Sequence, residues 1–125
     1  MYTVALKREF VAWHFLVGGD WGPENHLHDH QYQVEVELAG ARLNEHGYLV
    51  DIVELEALLE ELVAYFKDRT LNGLPEFAGL NPSLENFACI FCRKLLNRLT
   101  APNLSRVRVQ IWENDTAWAT YREEC

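Results

Sequence analysis

From Tyr2 to Phe15 the even positions carry Tyr2, Val4, Leu6, Phe10, Ala12 and His14, broken only by Arg8. That two-residue period predicts a strand with one buried face, ending in a histidine. Val17-Gly18-Gly19-Asp20-Trp21-Gly22-Pro23 reads as a loop, because its glycines and proline favour turn geometry. A second strand follows, with Tyr32, Val34, Val36 and Leu38 on one face and Gln31, Gln33, Glu35 and Glu37 on the other. So clean an alternation predicts an antiparallel sheet covered on one side and facing water, or a water-filled space, on the other.

The period then changes. After the polar, glycine-bearing stretch Ala39 to Tyr48, Asp51-Ile52-Val53-Glu54 has the spacing of a capping box. Ile52, Leu55, Leu59, Leu62 and Phe66 recur at helical spacing until Asn72-Gly73-Leu74-Pro75 breaks the pattern. A second helix is predicted to start at Asn81-Pro82-Ser83, with Ser83 as N-cap. Phe87, Ile90, Phe91, Leu95 and Leu99 form its buried stripe, and Pro102 is its expected end. Val107, Val109 and Ile111 alternate with Arg106, Arg108 and Gln110, and a last strand is expected around Ala117 to Tyr121. The order strand, strand, helix, helix, strand, strand predicts one α+β domain over 1–125, a four-stranded antiparallel sheet with two helices on one face. Such an open sheet has two unpaired edges and a polar face, which self-association commonly covers; a monomer with charged edges is the alternative.

Composition narrows the function. The chain has 125 residues, 49% hydrophobic and 24% charged, with a formal net charge of −8. A chain of this size can bury a core without disulfides or a structural metal, so a metal signal in it points to function. The acidic balance and the lack of any Lys/Arg-rich run argue against a nucleic-acid partner, whose phosphates need a basic face. No stretch approaches the ~20 apolar residues that span a bilayer, and the first ten residues lack a signal-peptide layout. Three cysteines without a secretion signal suggest reduced thiols and a cytoplasmic location.

The strongest local chemistry is His26-Leu27-His28-Asp29-His30 at the entry to the second strand. Residues two apart on a strand share a face, so His28 and His30 converge, and antiparallel pairing could bring His14 beside them. Three neutral imidazoles with an open fourth position form the donor set of catalytic zinc; surface histidines near a loop are the plainer alternative. His26 reads as an outer or solvent-facing residue, and His46 as an exposed turn residue. Glu113 continues the Val107, Val109, Ile111 face, so its carboxylate should point to the core side at a strand end. A ligand with a guanidine-like N–H pair would satisfy it, and so would a salt bridge to an arginine. Cys89 and Cys92 form C-x-x-C inside a helical stripe, where core thiols are the better reading. Glu54, Glu56, Glu60 and Glu61 read as the solvated side of the first helix.

In this layout the chain resembles the 6-pyruvoyl-tetrahydropterin synthase and 6-carboxy-tetrahydropterin synthase family over nearly its whole length. Phe10-Val11-Ala12-Trp13-His14-Phe15 resembles F-x-A-x-H, and Leu27-His28-Asp29-His30-Gln31-Tyr32 resembles L-H-G-H-x-Y. Gly47-Tyr48-Leu49-Val50-Asp51 is similar to G-x-[VL]-x-D, Leu71-Asn72 to the end of D-H-x-x-L-N, and Asn81-Pro82-Ser83-Leu84-Glu85-Asn86 to N-P-T-x-E-N. Trp112-Glu113 stands where the family has its late pterin glutamate. The resemblance implies a tunnelling fold, in which three subunits close their sheets into a barrel and two such trimers stack into a homohexamer. It implies zinc on His14, His28 and His30, with sites at subunit interfaces. The pterin's amino-pyrimidine edge would sit on Glu113, with Ser83 near the ring where the family usually has threonine. The implied substrate is a 7,8-dihydroneopterin or its triphosphate.

Two departures bear on the reaction. Where both synthases have a cysteine four positions before the first histidine of H-G-H, this chain has Glu24; where they have D-H, it has Lys67-Asp68, or Asp68 aligned with the aspartate after a one-residue slip. Either way the histidine is missing. The glutamate is similar to that of the family's type III branch, associated with cleavage to 6-hydroxymethyl-dihydropterin. A carboxylate of pKa about 4.3 is a weaker base than a thiolate of about 8.5, and a retro-aldol cut demands less of its base than triphosphate elimination. The leading expectation is therefore zinc-dependent retro-aldol cleavage, with Glu24 as base, Asp68 orienting it or passing the proton on, and Lys67 or Arg69 meeting any phosphate. One alternative is a 6-pyruvoyl- or 6-carboxy-tetrahydropterin synthase that uses a Glu24 and Asp68 pair. The other is a zinc- and pterin-binding protein without turnover.

Overall fold

Tyr2–His14 (β1) and His28–Gly40 (β2) pair antiparallel over their full length, with Tyr2 opposite Gly40 and His14 opposite His28, in a computed structural model that describes residues 1–125. Arg106–Trp112 (β3) adds to the far side of β2 and Trp118–Glu124 (β4) to β3, so the sheet runs in simple sequence order. Each strand obeys its sequence period. Phe10, Ala12 and His14 of β1, Tyr32 to Leu38 at even positions of β2, and Val107, Val109 and Ile111 of β3 are all buried.

Between β2 and β3 the chain forms Ile52–Phe66 (α1) and Leu84–Leu96 (α2), whose apolar stripes cover that buried face. Asp51 caps α1 by accepting from the Val53 N–H at 2.9 Å. Ser83 caps α2 by accepting from the Asn86 N–H at 3.1 Å. Two short 3-10 turns, Leu71–Gly73 and Pro75–Phe77, join the helices and bury Leu71, Leu74 and Phe77. Phe87 is the hub of the core, with Phe10, Tyr32, Phe66 and Phe77 packed around it at centroid distances of 5.1 to 6.0 Å. Truncating a ring so enclosed costs about 3–5 kcal/mol, so Phe87 ties the site end of the sheet to both helices.

Two boundaries differ from the sequence expectation: β4 runs past Tyr121 to Glu124, and α2 stops early. α2 ends at Leu96, well short of Pro102, although Leu99 N still bonds to Leu95 O at 3.1 Å. The chain leaves the helix in a tight turn that keeps Leu99 packed against the core, so apolar spacing outlasts the helix itself. Of the cysteines, Cys92 is a buried core thiol, pushed up to about 12 by desolvation first of all; Cys89 is half-buried and Cys125 exposed.

The other sheet face is polar, with Arg108 donating to Glu35 at 3.0 Å and to Glu37 at 2.9 Å. β1 and β4 are the sheet edges, and only the end of β1 is covered. There Asp68 N–H donates to Val11 O at 2.7 Å and Trp13 N–H to Arg69 O at 2.8 Å. No helix is long and apolar enough to cross a membrane.

Candidate metal and ligand site

The register that pairs His14 with His28 also sets His30 beside Ala12, so three rings stand at one end of the sheet. Their centroids are 4.6 Å apart for His14 and His28, 5.0 Å for His14 and His30, and 4.9 Å for His28 and His30. Backbone carbonyls orient two of them. Pro82 O lies 2.9 Å from His14 Nδ1, and His26 O lies 2.7 Å from His28 Nδ1. A carbonyl can only accept, so each Nδ1 carries a hydrogen, and a ring that is neutral then presents its Nε2 lone pair to the cluster. His26 thus serves the cluster through its main chain while its own ring is exposed.

Burial lowers the pKa of His14, and the neighbouring His28 and His30 add to this against the opposing hydrogen bond to Pro82. Its Nε2 is buried and has no hydrogen-bond partner. An orphaned buried acceptor is costly, and here it faces two more imidazole nitrogens. His14, His28, His30 and Glu24 each offer one donor atom, all within 4.8 Å of one another. Neutral imidazoles with inward lone pairs suit a divalent zinc ion, so the residues fit the cofactor expected from the sequence. Beneath them the Tyr32 hydroxyl is 3.4 Å from His14 Nδ1, and burial raises its pKa so that it stays protonated.

Glu24 arrives on a 3-10 turn, Gly22–Asn25, and its Oε2 is 2.7 Å from His28 Nε2. Asn25 holds that loop together. Its Oδ1 accepts from Trp21 N at 2.6 Å, and its Nδ2 donates to Leu16 O and Gly19 O, each at 3.0 Å. A Cβ at Gly19 would come within 2.6 Å of the Trp21 ring, so any larger residue there must push that ring aside.

An open cavity of about 850 Å³ lies over the cluster, lined by His14, Trp21, Glu24, Ser83, Glu85, Glu113 and Trp118 among others. This is within the range of small-molecule sites. Glu113 forms no ion pair with an arginine of this chain, and its Oε2 lies 3.9 Å from His30 Nε2. A further cavity of about 600 Å³ lies at the opposite end of the sheet, between α1 and the turn after α2, without converging donor atoms.

Of the residues singled out from sequence, His14, Glu24, Ser83 and Glu113 line this cavity, and His28 and His30 join His14 and Glu24 in the donor cluster. Asp68 does not join them. It is exposed, occupies a left-handed turn at φ 59°, and runs along the outer edge of β1, so within one chain it neither joins the cluster nor lines the cavity. Lys67 is exposed at the same turn, and the Arg69 guanidinium lies 5.4 Å from the Tyr65 ring.

Three asparagines and an acid went unassigned in the sequence. Asn72 clamps the residue after His14, accepting from Phe15 N at 3.0 Å and donating to Phe15 O at 2.9 Å. Asn81 accepts from Val17 N at 2.8 Å, and Asn25 closes the Glu24 loop. Glu85 lines the cavity with Glu113. Asn72 and Asn81 hold the main chain just beyond His14, at Phe15 and Val17, by bonds that leave no periodic signal in the sequence.

Comparison with known proteins identifies the family and agrees with the fold. The family model described as 6-pyruvoyl tetrahydropterin synthase matches residues 3–124. A protein of Archaeoglobus fulgidus, provisionally named a 6-carboxy-5,6,7,8-tetrahydropterin synthase, is 32% identical over 96 residues, 77% of this chain and 76% of its own. The structure of Caenorhabditis elegans 6-pyruvoyl tetrahydropterin synthase superposes with a TM-score of 0.80 at 25% identity, covering 98% of this chain and 97% of that one. A Plasmodium vivax 6-pyruvoyltetrahydropterin synthase, solved with a catalytic glutamate replaced by alanine, shares the fold at a TM-score of 0.79 and 15% identity, with all of both chains covered. With the match running almost end to end and the histidine cluster in place, the chain belongs to the 6-pyruvoyl tetrahydropterin synthase family.

Proposed function

We propose that this pterin enzyme is zinc-dependent and acts on the side chain of 7,8-dihydroneopterin triphosphate in the manner of a 6-carboxy- or 6-pyruvoyl-tetrahydropterin synthase, with Glu24 as proton acceptor. The name of the archaeal relative moves the weight to this reading from the aldol cleavage expected on sequence. The observation that carries it is the meeting of three histidines and Glu24 beside one cavity that Glu113 also lines. A zinc ion on His14, His28 and His30 would supply Lewis acidity to a side-chain oxygen of the substrate.

The chain's own groups do the rest. Glu113 accepts the N–H pair of the pyrimidine edge, which fixes the ring and so sets the side chain over the histidines. Ser83 retains its hydroxyl hydrogen while accepting from Asn86, leaving it free to donate to the ring. Trp21 and Trp118 line the cavity and offer it aromatic surface against which a ring can pack. Glu24, beside His28, takes the proton released from the side chain. Asp68 reaches a site only if a second copy brings it there, as the implied homohexamer with interface sites would do.

Cleavage to 6-hydroxymethyl-dihydropterin is the second reading, favoured by the carboxylate at Glu24 where the resemblance expects a thiolate. The Plasmodium vivax synthase, with its catalytic glutamate, makes a carboxylate compatible with either product. Incubating zinc-loaded protein with 7,8-dihydroneopterin triphosphate and identifying products by mass separates the two. A 6-carboxy or 6-pyruvoyl product supports the synthase reading, and 6-hydroxymethyl-dihydropterin alone would replace it with the cleavage. Pterin binding without any product, unaffected by Glu24→Gln, would leave a binding protein.

A further inference from the structure

The Glu24 carboxylate is closer to the histidine cluster than a base waiting for substrate needs to be. Its Oε2 lies 2.7 Å from His28 Nε2, nearer than His30 Nε2 at 3.1 Å. The His26 carbonyl fixes the hydrogen of His28 on Nδ1, so a neutral His28 presents a lone pair to both neighbours. A proton placed on His28 Nε2 would satisfy Glu24 but would leave His14 Nε2 buried and unpartnered. A single cation among them would give all four donor atoms a partner, since they lie within 4.8 Å of one another. The turn that carries Glu24 is also built to hold it there. Leu16 N donates to Glu24 O at 2.9 Å, and Asn25 closes the loop on both sides.

We propose that Glu24 is itself a metal ligand in the resting protein, closing an N3O set with His14, His28 and His30, and that substrate binding must free its carboxylate before it can accept a proton. This rests on reading the cluster as a metal centre and deepens the role given to Glu24. A catalytic zinc site keeps one position open, whereas four protein ligands make a closed one. Glu24 is about half exposed, at 48% of its side-chain surface, so it has room to swing away into the cavity. The arrangement couples the appearance of the base to the arrival of the substrate, because the carboxylate is occupied whenever the cavity is empty.

Metal binding tests this without turnover. Wild-type protein and Glu24→Gln, an exposed substitution on a surface turn, are compared by zinc competition against a chromophoric chelator and by the visible spectrum of the cobalt-loaded forms. Loss of a ligand should weaken zinc binding by roughly tenfold or more and change the cobalt spectrum before any pterin is added. Neopterin, an oxidised pterin that retains the side-chain hydroxyls, should shift the cobalt spectrum of the wild type as the carboxylate leaves. Zinc affinities within about twofold, with superimposable cobalt spectra, would overturn the proposal. If Glu24→Gln abolishes product while both metal readouts stay unchanged, Glu24 is a base and not a ligand. If both readouts change but wild-type protein forms no product, the ligand assignment stands and the proposed activity falls.

Discussion

His14 Nδ1 lies 2.9 Å from the main-chain oxygen of Pro82, so the residue that ends β1 is oriented by the residue just before the cap of α2. The contact turns Nε2 toward the cavity, and burial keeps the ring neutral by lowering its pKa from the ordinary 6.5. In metal-free protein this has a measurable consequence. The unfolded chain binds a proton at His14 near pH 6.5 while the folded chain resists it, so this contribution to stability is complete above 6.5. It declines as pH falls below that value and levels off once the folded ring is protonated, at no more than about 1.4 kcal/mol per pH unit. Denaturant unfolding of chelator-treated protein across this range should show the decline, and His14→Gln should flatten it. Identical slopes in the two proteins would refute the assignment.

Asn72 imitates a strand at the point where β1 runs out, since its amide both accepts from Phe15 N and donates to Phe15 O. Asn72→Ala leaves two partly buried main-chain groups without partners. The expected cost is about 1–3 kcal/mol, read as a lower denaturant midpoint at unchanged slope. Because Phe15 follows His14, zinc affinity should fall along with stability. A stable variant with native zinc affinity would show that the clamp is dispensable.

What the sequence made legible were the features with a period. Alternation on two strands was enough to bring His14, His28 and His30 together, because antiparallel register leaves few ways to pair strands that each bury one face. Asp51 and Ser83 were readable as caps because they precede helical stripes. The supports of the site were not readable, since Asn25, Asn72 and Asn81 bond to main-chain atoms and such bonds leave no pattern along the chain. Asp68 shows the opposite limit. Its motif position suggested a place beside Glu24, yet its turn binds the outside of β1 and keeps it out of the cavity of its own chain.

Asn25 is the simplest way to separate the position of Glu24 from its chemistry. Its side chain makes three hydrogen bonds within the loop, and none to the histidines. Asn25→Ala should lower kcat by roughly tenfold, equivalent to about 1.4 kcal/mol, with little change in KM, because Asn25 does not line the cavity and the proposed ring anchor is Glu113. Global stability should change far less than in Asn72→Ala, since the loop is exposed and lies outside the core. A rise in KM with unchanged kcat would instead place the loop in substrate binding.

Glu113 should behave in the opposite way. It stands one residue beyond β3, its main-chain N–H is held by Ala117 O at 3.1 Å, and its carboxylate faces the cavity without an arginine partner. That combination suits a ligand with paired N–H donors, and the charge-assisted bonds are each worth about 1.5–3 kcal/mol. Glu113→Gln keeps the shape but turns one acceptor into a donor that meets another donor. Pterin affinity, followed by quenching of pterin fluorescence, should fall by about tenfold to a hundredfold. Zinc affinity should change far less than pterin affinity, because Glu113 is not among the four clustered donor residues and its Oε2 lies 3.9 Å from His30 Nε2, beyond hydrogen-bond distance. Equal loss of zinc and pterin would mean that Glu113 supports the histidines, and the ring would then need an anchor elsewhere, for which Glu85 in the same cavity is the available carboxylate.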